Sequence, residues 1–144
     1  MTKQPKPSKA DPKIAEWAAE HLAREMGCVV TVRAMRTKFT RQDLFAADVI
    51  GKRKDGSLVA IQATCGDSAN VAHRRRKMEA VPWSLTDTVL IAEMRKKHEL
   101  GNRAHPLRRY FRLHQWRHGH GDWKVLSDVV EIPKVWQRAW KPLD

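Results

Sequence analysis

The sequence has few cysteines and no long apolar segment. Only Cys28 and Cys65 occur among 144 residues, which excludes a framework of disulfide bonds. Both lie in or beside apolar runs, so we expect buried, reduced thiols and a cytoplasmic location. No apolar run approaches the roughly 18 residues of a transmembrane helix, and the Lys- and Pro-rich N-terminus lacks the apolar core of a secretory signal. The length suits one domain that buries a core without a structural metal.

Acidic residues are also in deficit, and the common phosphate-binding motifs are missing. Lysine and arginine total 28 against 16 aspartates and glutamates, which gives a formal net charge of +12. Such a field attracts a polyanion. The most basic segments have no sustained apolar face opposite their charges, so nucleic acid is a better partner than a membrane. A Gly-rich phosphate loop and a dinucleotide fingerprint are both absent. The alternative is a basic surface that only confers solubility.

The pattern of apolar, β-branched and turn-forming residues predicts the order of the elements. Residues 1–10 predict a disordered basic arm. A first helix is indicated by Asp11 as its N-cap and by Gly27 at its end. The other expected elements are a strand over 28–35, a polar loop over 36–44, a hairpin of two strands over 45–64, a basic helix over 70–80, a strand over 87–94, a charged loop over 95–106, a strand over 108–117 and a short terminal helix carrying Trp136 and Trp140.

This order predicts an α/β fold, in which helices pack on a mixed sheet. We expect the basic arm at residues 1–10, a core at 11–97 and a strand-rich C-terminal extension at 98–144 that packs on the same domain. No repeat period is present, so a solenoid is not indicated.

The hairpin over 45–64 carries polar residues where apolar ones would pack better. A turn around Asp55 places Asp48 opposite Gln62, and cross-strand neighbours have Cβ atoms about 4.5–5.5 Å apart. Thr64 shares a face with Gln62, because alternate side chains of a strand point the same way. A carboxylate beside an amide oxygen can bind Mg²⁺, which takes one or two carboxylates, waters and phosphate oxygens. The hairpin therefore predicts a Mg²⁺ (or Mn²⁺) site that could hydrolyse a phosphodiester.

These features resemble the PD-(D/E)XK nuclease superfamily, and in particular the archaeal-type Holliday junction resolvases. The segment FAADVIG is similar to the family's proline-aspartate strand, with Asp48 as the aspartate. The segment AIQAT stands in place of the acidic-x-lysine motif, with Gln62 for the acid and Thr64 for the lysine. Glu16 falls where these resolvases carry a helix glutamate, and Glu20 is the alternative candidate for that role.

The resemblance spans roughly residues 12–95 and implies a fold and an activity. It implies a restriction-endonuclease-like core of order αβββαβ, with Mg²⁺ bound by Asp48, Gln62 and Glu16. It also implies cleavage of DNA, including branched DNA such as Holliday junctions. Junction resolution needs two paired cuts, so the active form would be a homodimer.

The second half of the motif departs from the family. Gln62 has one negative charge less than an acid, although an amide oxygen can still bind a metal. Thr64 removes the lysine cation, which Lys77 or Arg74 of the next helix could replace, since catalytic lysines of this superfamily are known to migrate. One hypothesis is an active nuclease. The other two are a nucleic-acid-binding protein without catalysis and a basic structural subunit of a larger nucleoprotein assembly. The catalytic residues predicted for the first are Asp48, Gln62, Thr64, Glu16 and Lys77.

Two basic clusters are the predicted nucleic-acid contacts, with DNA favoured over RNA. The consecutive cations of the 70–80 helix repel one another, and a phosphate backbone would relieve that repulsion. Around Tyr110, cations alternate with aromatic side chains that could stack on bases. The predicted contacts are His73, Arg74, Arg75, Arg76, Lys77, Arg108, Arg109 and Arg112.

Overall fold

A computed structural model describes residues 8–34, 46–65, 68–98, 104 and 106–142. The elements are helix α1 (Asp11–Glu25), strands β1 (Cys28–Arg33), β2 (Val49–Arg53) and β3 (Leu58–Cys65), helix α2 (Ser68–Glu79), strands β4 (Thr88–His98), β5 (Leu107–Arg117), β6 (Asp122–Val125) and β7 (Val130–Glu131), and a 3-10 helix at Lys134–Gln137. Most of the predicted basic arm and the predicted polar loop lie outside the described residues. None of the described helices is long and apolar enough to cross a membrane.

The strands form one mixed sheet in the order β1-β2-β3-β4-β5-β6, and β7 pairs with β5. β3 and β4 are parallel, whereas every other neighbouring pair is antiparallel. Helix α2 connects the two parallel strands, which need a crossover of this kind. The predicted α/β class with a mixed sheet is confirmed.

The two helices pack on opposite faces of the sheet. On one face of the sheet, α1 contributes small residues, including Ala15, Ala18 and Ala19. These residues allow the helix to pack closely against Ile61 and Phe111. On the other face, α2 buries Met78 in a second apolar cluster with β3 and β4. The residues of that cluster are Ala47, Ala60, Met78, Val89 and Ile91, with Trp83, Trp116 and Trp123 packed around them. Since Ala60 faces α2, Gln62 and Thr64 face α2 as well.

The ends of α1 differ in part from the prediction. Gly27 follows the helix with a φ of +96°, a left-handed conformation that glycine adopts readily and that stops the helix as predicted. The prediction that Asp11 is the N-cap was wrong. Ala10 occupies that position without a side-chain hydrogen bond. The Asp11 carboxylate is instead buried between Lys96 at 2.9 Å and Arg109 at 3.2 Å.

Two predictions for the second half of the chain were also wrong. Residues Arg95–His98 continue β4 instead of starting a loop, because their backbone pairs with Leu107–Tyr110 of β5. The expected terminal helix is reduced to the 3-10 turn, and Trp140 lies beyond it. Trp136 stacks on His21 with ring centroids 6.1 Å apart. The Arg24 guanidinium lies 3.5 Å from the Trp140 ring centroid. Both tryptophans therefore pack against side chains of α1, although they do not lie on one helix.

Candidate active site

The β2–β3 hairpin has the predicted register. Val49 pairs with Ile61, so Asp48 stands opposite Gln62. The Asp48 N–H donates to the Ile61 carbonyl at 3.0 Å, and the Asp48 carboxylate accepts from the Ala63 N–H at 2.8 Å. The buried carboxylate is thus fixed at the start of β2 by the backbone of β3.

A cavity of about 220 Å³ opens beside Asp48, where β3 ends. Two acidic residues, Glu16 of α1 and Asp48, belong to its lining. Thr64 and Cys65 of β3 and the basic residue Arg74 of α2 line it as well. Pro12, Ala15 and Ala63 complete the lining. Three of the predicted catalytic residues, Glu16, Asp48 and Thr64, therefore line one cavity, together with the predicted nucleic-acid contact Arg74.

The two candidate glutamates of α1 have different surroundings. Glu20 accepts a hydrogen bond from the Thr31 hydroxyl at 2.7 Å and pairs with Arg33 at 3.2 Å. Glu16, one turn earlier, lines the cavity. The contacts of Glu20 with β1 leave Glu16 as the α1 carboxylate beside Asp48.

Gln62 has contacts that the sequence did not predict. Its side chain is buried and is not part of the cavity wall. With the amide oriented to satisfy its neighbours, the oxygen accepts from the Arg74 guanidinium and the nitrogen donates to the Ala46 carbonyl. Ala46 has a φ of +62°, a conformation that residues other than glycine rarely adopt. The oxygen expected to bind a metal thus holds Arg74 instead.

Arg74 and Lys77, the two cations that the sequence predicts for the site, differ in position. Arg74 lines the cavity together with Thr64. Lys77 lies on an exposed part of α2 and is not part of the cavity wall. Of the predicted basic residues, Arg74 is therefore the one that enters the site.

The Thr64 hydroxyl is buried and has no hydrogen-bond partner among the described residues. An unpaired buried hydroxyl is costly, and natural structures generally satisfy such groups. Thr64 lines the cavity, but its hydroxyl has almost no accessible surface there.

A buried polar network next to the cavity was missed by the sequence analysis. Glu93 of β4 stands beside Thr64, and its carboxylate accepts from Arg95 at 2.8 Å. His114 of β5 lies between Glu93, at 3.3 Å, and Arg75 of α2, at 2.7 Å. Arginine can only donate, so the His114 Nδ1 accepts and its Nε2–H donates to Glu93. Glu93 is a charged residue within an apolar run, as Asp48 is. This pattern is the sequence signal for a buried polar position at Glu93.

The ionisation states in this network follow from burial and from the neighbouring charges. Burial alone would raise the pKa of Glu93, but the hydrogen bonds from Arg95 and His114 hold it below its ordinary value. Burial lowers the pKa of His114, as does the Arg75 charge, and together they outweigh the opposing effect of Glu93. Burial also raises the pKa of the Cys65 thiol, which makes this residue a poor nucleophile.

The donor set of the cavity fits a hard cation that completes its coordination from outside the protein. No group of three or more His, Cys, Asp or Glu side chains in the described part of the chain could hold a metal. Mg²⁺ needs only one or two carboxylates, with waters and substrate phosphates as its other ligands. Glu16 and Asp48 meet that need.

The chain matches no protein-family model, no curated protein and no solved structure. Its function must therefore be inferred from the cavity, the charges and the topology.

Proposed function

We propose that this protein is a metal-dependent nuclease that hydrolyses phosphodiester bonds in nucleic acid, with DNA favoured. One observation carries the proposal: two acidic residues, Glu16 and Asp48, line one cavity together with Arg74 and Thr64. The net charge of +12 favours a polyanionic substrate. A bound Mg²⁺ would activate water and stabilise charge on the phosphate.

Each residue has a role that follows from its contacts. Asp48 is held by the Ala63 N–H and presents a rigid carboxylate, as a metal ligand must. Glu16 supplies the second carboxylate from the α1 wall of the cavity. Arg74, positioned by Gln62, would bind the phosphate and take the place of the family's lysine.

The topology supports a nuclease-like fold. One helix, three antiparallel strands, a second helix and a parallel fourth strand follow one another, in the αβββαβ order of the superfamily that the sequence resembles. Cleavage of four-way junctions by a homodimer is the finer form of the proposal, since paired cuts call for two symmetric sites.

The test is cleavage of labelled duplex, single-stranded and four-way-junction DNA with Mg²⁺, with Mn²⁺ or with EDTA. We expect cleavage only with a divalent ion, and a loss of roughly 10²-fold or more in Asp48→Asn and Glu16→Gln. Glu25→Gln is the matched control, because Glu25 is an exposed glutamate of the same helix. Cleavage that persists in Asp48→Asn, or that continues in EDTA, would refute the assignment.

A second candidate is a nucleic-acid-binding protein of the same fold without catalysis. The observation in its favour is that the Gln62 oxygen is already engaged by Arg74, which leaves two carboxylates and no lysine. In that case no substrate would be cut, whereas binding would be tight and salt-sensitive. A basic structural subunit of a larger assembly would require neither the cavity nor a divalent ion.

A further inference from the structure

Strands β4 and β5 extend beyond the cavity as a ribbon. β3 ends at Cys65, which pairs with Met94, whereas β4 continues to His98. Within the described residues, Arg95–His98 pair only with Leu107–Tyr110 of β5. We call these two paired segments the β4–β5 ribbon. Because Thr64 and Cys65 line the cavity, the ribbon begins immediately past its edge.

The α1 side of this ribbon carries cations that are buried and paired. Lys96 and Arg109 stand opposite each other, and both contact the Asp11 carboxylate. Arg109 also donates to the Gln137 side chain at 2.8 Å. The side chains of Lys96 and Arg109 are only 9% and 17% exposed. They stabilise the fold and have little surface to offer a nucleic-acid backbone.

The opposite side of the ribbon carries cations that face solvent. Lys97 stands opposite Arg108, and Arg112 lies at the base of the ribbon opposite Glu93. All three are exposed. The Lys97 ammonium is 5.3 Å from the Tyr110 ring centroid, and this cation–π contact holds the lysine over the strand. Arg108 pairs with Glu131, but the two side chains are 47% and 60% exposed, so a competing phosphate could displace the pair.

This solvent-facing side belongs to the same face of the sheet as α2. Glu93, the cross-strand neighbour of Arg112, is linked through His114 to Arg75 of α2. Three other basic residues of α2, His73, Arg76 and Lys77, are exposed. Arg108 and Arg112 are four residues apart, which corresponds to about 13 Å along a strand. That length spans about four nucleotide steps of B-form DNA.

We infer that Lys97, Arg108 and Arg112 form a track that binds the phosphate backbone of nucleic acid entering the cavity, and that Arg109 takes no part in it. The inference rests on the proposed function, since it requires a nucleic-acid substrate. The three residues lie on one side of the ribbon. The inference therefore predicts that the position of these charges affects the affinity for nucleic acid, in addition to the net charge of the protein.

The test measures binding without cleavage. The affinity for a short labelled duplex and for its single strand is measured by fluorescence anisotropy in EDTA over a series of salt concentrations. The track variant is Lys97→Gln/Arg108→Gln/Arg112→Gln. The control is Lys52→Gln/Lys54→Gln/Lys134→Gln, which removes the same charge from exposed lysines near the β2–β3 turn and on the 3-10 helix.

We expect the track variant to lose about ten-fold or more in affinity at low salt. The slope of log K against log salt concentration should decrease in magnitude by about 2–3, since each phosphate contact contributes about 0.9. The control should remain within about two-fold of the wild type. The double variant Lys97→Gln/Arg112→Gln keeps the Arg108–Glu131 pair and should show the same trend if the triple variant folds poorly.

Equal losses in the track and control variants would show that only net charge matters and would overturn the inference. A wild-type protein that binds neither nucleic acid would overturn it as well. If the wild type binds, the track variant fails to bind and nothing is cleaved, the track stands and the proposed hydrolysis fails.

Discussion

At the scale of single residues, the contacts of Gln62 explain why an amide suits this buried position. The Ala46 carbonyl requires a donor and the Arg74 guanidinium requires an acceptor. An ionised glutamate could accept from Arg74 but could not donate to Ala46, whereas an amide does both. The amide adds no charge beside the cavity and holds Arg74 in the cavity lining.

The identity of the replacement cation is a testable consequence. We expect Arg74→Gln to lower single-turnover cleavage by roughly 10²-fold, as loss of a preorganised charge-stabilising donor does in other enzymes. Lys77→Gln is the matched control, since it removes one charge from the same helix outside the cavity wall. A larger loss in Lys77→Gln than in Arg74→Gln would reverse the assignment.

The sequence predicted some of these residues and missed others for a physical reason. Asp48 and Gln62 could be placed opposite each other because hairpin register depends on a nearby turn. The partners of Gln62 could not be predicted, since Arg74 comes from another element and Ala46 reaches it through an unusual backbone conformation. Glu93 was overlooked because the apolar run around it already explained a buried strand.

At the scale of elements, His114 connects helix α2 to the sheet. It accepts from Arg75 of the helix and donates to Glu93 of β4, so one imidazole fixes the helix that carries Arg74. This arrangement requires neutral His114, because a protonated ring could not accept from Arg75. The lowered pKa of His114, caused by burial and by the Arg75 charge, keeps the ring neutral.

The lowered pKa makes stability depend on pH in a defined window. As the pH falls below about 6.5, the unfolded chain takes up a proton on His114 before the folded chain does, so folding is disfavoured. His114→Gln keeps one acceptor and one donor but does not titrate. We expect the free energy of unfolding of the wild type, measured relative to this variant in urea, to decrease from about pH 8 to pH 5. Other histidines cancel in the difference, and a constant difference would contradict the assigned state of His114.

The extent of β4 is an element-scale feature that the sequence hid. The run Arg95–His98 is highly charged, and its composition alone predicts a loop. It is a strand because β5 supplies its backbone partners, and because Asp11 neutralises Lys96 from another element. Pairing between distant segments thus decided a structure that local composition did not favour.

At the scale of the whole molecule, Asp11 joins the N-terminal helix to the C-terminal half of the sheet. Its carboxylate contacts Lys96 of β4 and Arg109 of β5, while the helix itself packs on β1, β2 and β3. The chain has a net charge of +12, so its positive charges repel one another. The buried Asp11 carboxylate offsets this repulsion where it contacts two buried cations. The sequence showed the charge excess but not this contact, since the three residues are far apart along the chain.

Removal of the Asp11 charge should therefore destabilise the whole fold. Asp11→Asn removes the charge of the buried carboxylate that both Lys96 and Arg109 contact, and breaking a buried ion pair in this way costs about 3–5 kcal/mol. Burial by itself would raise the pKa of Asp11, but the hydrogen bonds from Lys96, the Ser8 backbone and Arg109 lower it below the ordinary aspartate value of about 3.9. The contribution of the carboxylate is thus complete above that pH and is lost as the pH falls towards the lower pKa of the folded state.

The measurement is the free energy of unfolding of both proteins in urea, from neutral pH down to about pH 3. The destabilisation of Asp11→Asn should be greatest at neutral pH and should shrink at the acid end, where the wild-type carboxyl begins to take up a proton. Asp122→Asn is the control, because Asp122 also pairs with an arginine and also has a lowered pKa from its hydrogen bond with Arg117, but on the exposed surface. It should cause little or no loss, since solvent screens such a pair. Equal effects of the two substitutions would mean that burial of Asp11 between Lys96 and Arg109 does not stabilise the fold.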